Sequence, residues 1–323
     1  MDTLQTWAVV LAGGDGTRLR PLTRMITGED RPKQFCEIYG GKTLLAQTRS
    51  RLAATVSPEQ TVFAVVRAHE RYYTEELVDV RPSRIVVQAS NMGTTAAIVH
   101  SLQRVVSLAG NPVVGFFPTD HHYAGESRFV DSVRLAFQIA GADLETIILL
   151  GAHADYPEVE YGWIEQGDRV ACPSTKSLHR VNRFWEKPSI QLAQRLRARG
   201  CLWNTFVMIG RASAFLDMLR ASVPQMLRRP FLNDGGQDVV GAMAESAAAD
   251  RAGEGIVAGD FSQQVLAAST ARLAVLQLGD VGWSDLGTPE RVRFAMARDA
   301  LELRPAGSTQ HENTEDLAKV AAF

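Results

Sequence analysis

Residues 7–35 read WAVVLAGGDGTRLRPLTRMITGEDRPKQF, an apolar run that stops at a glycine-rich loop and leads on to Arg18 and Lys33. Small residues let a backbone approach a phosphate chain closely and turn its N–H groups toward it. Arg18 and Lys33 bring the positive charge that a polyphosphate demands. The loop thus points to a nucleoside triphosphate held by Leu11, Ala12, Gly13, Gly14, Gly16 and Thr17, with a plain glycine turn between a strand and a helix as the alternative. Two other phosphate loops fail to match. A Walker loop ends in Gly-Lys-Ser/Thr, and the dinucleotide fingerprint needs a third glycine where this chain has Leu19.

Further along, VVGFFPTDHHY (113–123) delivers Asp120 after an apolar strand and a proline. A carboxylate at such an edge suits Mg²⁺, a hard cation that takes oxygen ligands and keeps several waters. The alternative is a turn aspartate that caps the next helix. Adjacent His121 and His122 point apart and have no clustered ligands, so they read as ordinary loop residues rather than a zinc site. Asp285 sits in VGWSDLGTP (281–289), with an N-cap for the helix near Pro289–Arg298 as its alternative role. In FWEKPS, Glu186 can accept hydrogen bonds from sugar hydroxyls, Lys187 can neutralise a sugar phosphate, and Pro188 presets the backbone of both. A solvated Glu-Lys pair is the plainer reading.

Taken in order, these segments resemble the sugar-1-phosphate nucleotidylyltransferases. The carriers of the likeness are L-A-G-G-x-G-T-R-L, P-K-Q, Pro-x-Asp-His, F-x-E-K-P and W-x-D-x-G. Lys33-Gln34-Phe35 is similar to the bacterial mannose-1-phosphate guanylyltransferase branch. The resemblance implies a nucleotidyltransferase, GT-A-like fold. It implies transfer of a nucleotidyl group from GTP to mannose-1-phosphate, giving GDP-mannose and pyrophosphate. It assigns catalysis to Arg18, Lys33, Asp120 and Asp285, with the two aspartates holding Mg²⁺. It places the sugar phosphate on Tyr161, Gly162, Glu186, Lys187 and Asn204, with the aromatics of Tyr161-Gly162-Trp163 beside the sugar's apolar C–H face; a hairpin with core aromatics is the alternative for that segment. It places the base on Gln88, Gly93 and Thr94, with a simple helix N-terminus capped by Asn and Thr as the alternative. Relatives more often carry Glu-Pro where this chain has Gln88-Ala89, and glycine where it has Phe206. A glutamine side chain accepts one bond and donates another, which keeps thymine and uracil open beside guanine. Thymidylyl or uridylyl transfer to glucose-1-phosphate, another mannose-like sugar, and a non-catalytic nucleotide-sugar-binding regulator are the remaining readings.

The elements that must position these groups alternate. Short apolar runs at Ala8–Leu11, Thr61–Val66, Ile85–Val87, Val113–Phe117 and Thr146–Leu150 predict strands. Amphipathic stretches at Thr43–Ala54, Ala96–Ala109 and Phe129–Ala140 predict the helices between them. Alternation of this kind implies an α/β, Rossmann-like, mostly parallel twisted sheet with helices on both faces. Helices are also predicted at Ile190–Arg199, Ala212–Ala221 and 241–252. Residues 1–295 read as one catalytic domain, with a nucleotide half to about 150 and a sugar half to 295, followed by a C-terminal helix and tail over 296–323. No hexapeptide ladder of a C-terminal β-helix occurs. A net charge of −2 disfavours nucleic acid and acidic membranes as partners; the resemblance implies the triphosphate and the sugar phosphate, and a homodimer is a further expectation. Three scattered cysteines and no signal-peptide core predict a reduced, cytoplasmic protein.

Overall fold

The computed structural model describes residues 5–143, 145–227 and 260–302. The helix expected at 241–252 and the tail from 305 lie outside them. Eleven strands are β1 (Thr6–Leu11), β2 (Thr61–Val66), β3 (Ile85–Gln88), β4 (Val113–Pro118), β5 (His121–Tyr123), β6 (Ile147–Ala152), β7 (Gly162–Arg169), β8 (Leu178–Glu186), β9 (Leu202–Arg211), β10 (Leu273–Gln277) and β11 (Trp283–Asp285). Nine of them form one sheet in the order β3-β2-β1-β4-β9-β6-β10-β8-β7, and β5 pairs with β11 in a separate two-stranded ribbon.

The five predicted strands of the first half all form. β3, β2, β1 and β4 are mutually parallel. β1 is flanked by β2 on one side and β4 on the other, so the chain changes direction across the sheet at its C-terminal end. Open α/β sheets bind ligands at such a switch point, and the glycine loop follows β1 directly. β9 then inserts antiparallel between β4 and β6, which joins the two halves into one continuous sheet.

Strand residues alternate between two cores because successive side chains point to opposite faces. Val9, Phe116 and Leu149 pack on one face under helices α4 (Gly93–Ala109) and α7 (Ala212–Ser222), through Ile98, Leu102 and Phe215. Val10, Phe117 and Leu150 face the other way, under α2 (Leu44–Leu52) and α5 (Glu126–Ala142), through Leu45, Phe129 and Val133. The predicted stripe Phe129, Val133, Ala136 and Ala140 is buried throughout. A third, smaller cluster joins Leu19, Leu22 and Leu44 to Leu286, Val292 and Ala295 of the C-terminal segment. It ties the glycine loop to the helix Pro289–Glu302. No described helix is long and apolar enough to cross a membrane.

Candidate active site

The loop after β1 is shaped from behind. Gln34, 2% exposed, donates from Nε2 to the carbonyls of Ala12 at 2.8 Å and Gly14 at 2.9 Å. Holding the carbonyls back leaves the amides of Gly13, Gly14, Asp15 and Gly16 with no acceptor among the described residues. Gly16 has φ +58, and a Cβ there would lie 3.1 Å from Lys33 Cγ and 3.2 Å from Lys33 N. Glycine is therefore required for both conformation and space. The sequence marks Gln34 only as part of a motif; its anchoring role needs the fold. Gln34→Leu is expected to leave two carbonyls unsatisfied, cost about 1–3 kcal/mol in unfolding free energy, and raise KM for the nucleotide. Chemical denaturation and initial-rate kinetics check it.

Lys33 links three distant segments. Its Nζ lies 2.5 Å from Asp120 Oδ2 and donates to the Leu286 carbonyl at 3.1 Å. Burial alone would raise the Asp120 pKa, but the Lys33 ammonium overrides it, and with His121 holds the carboxyl well below the usual carboxylate range. Asp120 caps no helix, since α5 begins after Gly125.

Asp285 reaches the same place from β11. In the ribbon it stands opposite His121, and the Leu286 amide donates to the Asp120 carbonyl at 2.7 Å. The two carboxylates, 165 positions apart in sequence, thus come from adjacent backbone. Asp285 Oδ1 accepts from the Tyr161 hydroxyl at 2.8 Å and from Arg291 Nη1 at 2.7 Å, which leaves Oδ2 for another partner. The helix Pro289–Glu302 has Thr288 Oγ1 at its start, accepting from Arg291 N at 3.4 Å, so Asp285 is not its cap. Arg291, 8% exposed, also pairs with Glu158 at 2.8 Å. Neither Arg291 nor Glu158 belongs to any motif read in the sequence.

His121 and His122 are not loop residues. They form β5 and are buried, with His121 edge-on to Trp283 at 5.4 Å and His122 edge-on to Tyr39 at 5.3 Å. Among the described residues no group of three or more His, Cys, Asp or Glu is arranged to hold a metal. What remains is a pair of carboxylates. Such a pair fits Mg²⁺, which is ordinarily held by one or two carboxylates plus water and substrate phosphate.

Arg18 follows the loop in a short 3₁₀ turn and pairs with Glu160 at 3.0 Å across the site mouth, both half-exposed. Gln88 ends β3 beside the loop. Its Oε1 lies 3.8 Å from where a Gly13 Cβ would stand, and its buried Nε2 has no partner among the described residues. Gly93, at φ +85, donates its amide to Asn91 Oδ1 at 3.1 Å, and Thr94 is exposed in the first turn of α4.

The sugar-end residues converge. A Cβ on Gly162 would lie 2.8 Å from Phe184 Cζ, 3.1 Å from Glu186 Oε2 and 3.3 Å from Asn204 Cβ, so Gly162, Glu186 and Asn204 share one corner. Tyr161 and Trp163 follow the alternative of a hairpin with core aromatics. Both are buried, and the Tyr161 ring is covered by the Arg291 guanidinium at 4.4 Å and by Trp283 and Trp203. Tyr161 therefore orients Asp285 and offers no open ring face to a sugar. Tyr156, edge-on to Trp203 at 4.8 Å, is the exposed aromatic of this cluster.

Phe206 adopts φ +58, the left-handed region that favours glycine. The β6–β9 register shifts between Leu149 and Gly151, opposite this residue. The bulge keeps the backbone path of a glycine despite the aromatic side chain, and Asn204 Oδ1 accepts from the Phe206 amide at 3.1 Å.

Lys187 lies 3.5 Å from Glu186 and 3.5 Å from Asp260, a residue that no sequence pattern singles out. Burial, then the negative charge of Asp260, pushes the Glu186 carboxyl up to about 7 against the pull of Lys187. Because this folded value lies above the ordinary 4.5, the folded chain holds a proton that the unfolded chain has released. The stability contributed by this group is full below about 4.5 and is lost as pH rises to about 7. Glu186→Gln is accordingly expected to shrink the fall in Tm between pH 5 and pH 8, read by thermal melts across that range.

Comparisons with known proteins agree with this geometry. A sequence model of the nucleotidyl transferase family matches residues 7–300. The xanthan biosynthesis protein XanB of Xanthomonas campestris pv. campestris (strain B100) is 29% identical over 314 residues, covering 96% of this chain and 62% of XanB. The mannose-1-phosphate guanylyltransferase of Escherichia coli (strain K12) is 30% identical over 232 residues, covering 70% of this chain and 47% of that protein. The chain thus spans less than two thirds of the length of these relatives. Among solved structures, a mannose-1-phosphate geranyltransferase from Thermus thermophilus superposes with a TM-score of 0.73 at 26% identity, covering 91% of this chain and 80% of that one. The family match runs from the strand before the glycine loop to the helix after Asp285, so the chain belongs to the nucleotidyl transferase family.

Proposed function

We propose that the chain transfers a nucleotidyl group from a nucleoside triphosphate to a sugar-1-phosphate and releases pyrophosphate. The observation that carries this reading is Lys33. One ammonium contacts Asp120 and the Leu286 carbonyl while its own backbone packs against Gly16, so cation, carboxylates and phosphate loop share one edge of the sheet. In the reaction a sugar-phosphate oxygen attacks the α-phosphorus in line, a P–O bond forms, and the bond to pyrophosphate breaks. No side-chain nucleophile is needed, because the attacking oxygen is already anionic at neutral pH. The barrier is the meeting of two anions, and positioning with charge neutralisation lowers it.

Loop amides and Arg18 receive the departing pyrophosphate. Lys33 lies against the transferring phosphoryl group, and Lys187 takes the sugar phosphate. Glu186, Asn204 and the space above Gly162 receive sugar hydroxyls, and Tyr161 and Arg291 keep Asp285 oriented. Mg²⁺ held by Asp120 and Asp285 would reduce the repulsion between the two phosphates.

GTP and mannose-1-phosphate are the proposed pair, supported by the guanylyltransferases among the relatives. One observation favours a second pair. Gln88 presents both an acceptor and an unpartnered donor beside the loop, which also suits thymine or uracil. A pyrophosphate-release assay crossing GTP, dTTP, UTP, ATP and CTP with mannose- and glucose-1-phosphate separates them. GTP with mannose-1-phosphate is expected to be fastest; a lead for dTTP or UTP with glucose-1-phosphate selects the second reading, and no turnover with any pair rejects transfer.

A further inference from the structure

On the outer side of the phosphate loop lies a cavity of about 330 Å³ that takes no part in the proposed transfer. Asp15, Arg20, Arg31, His69, Arg71 and Tyr72 line it. Of the phosphate loop only Asp15 reaches it. Arg18 is turned to Glu160 and Lys33 to Asp120, so the cations assigned to the substrates face elsewhere.

The three arginines are held differently from scattered surface charges. Arg31 and Arg71 both stack on the Tyr72 ring, at 5.1 and 4.5 Å from its centre. Glu29 bridges them, at 2.8 Å from Arg31 and 3.1 Å from Arg71. Stacking on an aromatic ring and sharing one carboxylate fixes the planes of both guanidinium forks before any ligand arrives. Arg20 has no ion pair or side-chain hydrogen bond among the described residues.

The nearby acids are already engaged. Asp30 takes two bonds from Arg24, at 3.0 and 2.7 Å. Asp15 accepts from Asn91 Nδ2 at 2.8 Å and lies 3.5 Å from His69 Nε2. Arg20 is therefore the arginine of the lining with no carboxylate on it among the described residues, and Asp15, bonded to a neutral amide, is the lining acid with no arginine on it. Planar guanidinium forks match the oxygens of a phosphate group better than a spherical anion. The volume exceeds what one orthophosphate fills, and Pro32 and Ala68 supply an apolar edge for a small organic remainder.

We propose that this cavity binds a phosphate-bearing small molecule, at a site separate from the one that holds the substrates. Inorganic phosphate and a phosphorylated metabolite share the chemistry that Arg20, Arg31 and Arg71 recognise. Occupancy bears on the loop through Asp15, whose carboxylate spans from the cavity to Asn91 in the segment after β3. The site does not depend on the transferase reading, since none of its arginines takes part in it.

Isothermal titration of the full chain with inorganic phosphate tests the proposal, on wild type, Arg20→Gln and Arg71→Gln. The Arg71 side chain is 65% exposed, so its replacement leaves folding intact even if Arg20→Gln does not. Saturable binding is expected in wild type, weakened about tenfold or more in each variant, as loss of a charge-assisted hydrogen bond implies. It is expected to persist with a non-hydrolysable nucleoside triphosphate at saturation. Equal affinity in all three proteins, or no binding to wild type, overturns the site. Displacement by the triphosphate analogue overturns its separateness and makes it the seat of the substrate's own distal phosphate. Phosphate binding with these properties in a chain that shows no turnover would reject the transferase reading and leave this site standing.

Discussion

Asp285→Asn is expected to lower kcat/KM for pyrophosphate release about 10²-fold, or about 3 kcal/mol, with the fold preserved. The amide is isosteric. Its oxygen can still accept from Tyr161 and Arg291 on the Oδ1 side, so the packing of Trp283, Trp203 and Tyr161 is kept. What is lost is the negative charge on Oδ2, the oxygen that no protein donor claims among the described residues. A melting curve that overlays the wild type beside collapsed turnover separates this role from a structural one. Near wild-type rates would remove Asp285 from the reaction. Asp285→Ala is the less informative change, because it strips the partner from a buried arginine whose other contact is Glu158.

Lys33→Met is expected to be more damaging, with turnover reduced about 10²- to 10³-fold as for loss of a preorganised charge in a water-poor site. Methionine keeps most of the apolar stem and removes the ammonium. Asp120 then faces its burial without the cation that offsets it, so stability at neutral pH falls as well. Adding Asp120→Asn to Lys33→Met is expected to recover part of that stability and none of the activity. Such non-additivity marks two residues that act as a unit. Denaturation midpoints for the four proteins of the cycle, beside their rates, give both readings.

Patterns local in sequence are legible without the fold. Strand runs such as Thr61–Val66 and the Phe129–Ala140 stripe announce themselves through period and composition, and the glycine loop through spacing. Groups whose roles depend on distant backbone are not. Asp260 meets Lys187 across 73 positions of sequence, and no motif surrounds it. Arg291 looks like one more arginine on an exposed helix until β11 brings it to Asp285. The motif around Tyr161 leaves a sugar-facing ring and a core ring both open, and the fold selects the core, because a sequence does not show which ring faces are covered. Phe206 shows the same limit for backbone: a non-glycine residue in a left-handed bulge leaves no mark in composition.

The β5–β11 ribbon has a consequence for the timing of biosynthesis. His121 to Tyr123 emerge from the ribosome early, yet their partners, Trp283 to Asp285, are translated some 160 codons later. The parallel strands behind the glycine loop can assemble on the nascent chain well before then. On the proposed reading catalytic competence cannot, because Asp285 and the Leu286 carbonyl that steadies Lys33 arrive together only after that interval. On the same reading, a polypeptide interrupted before Trp283 would retain the glycine loop and lack Asp285, holding nucleotide without consuming it.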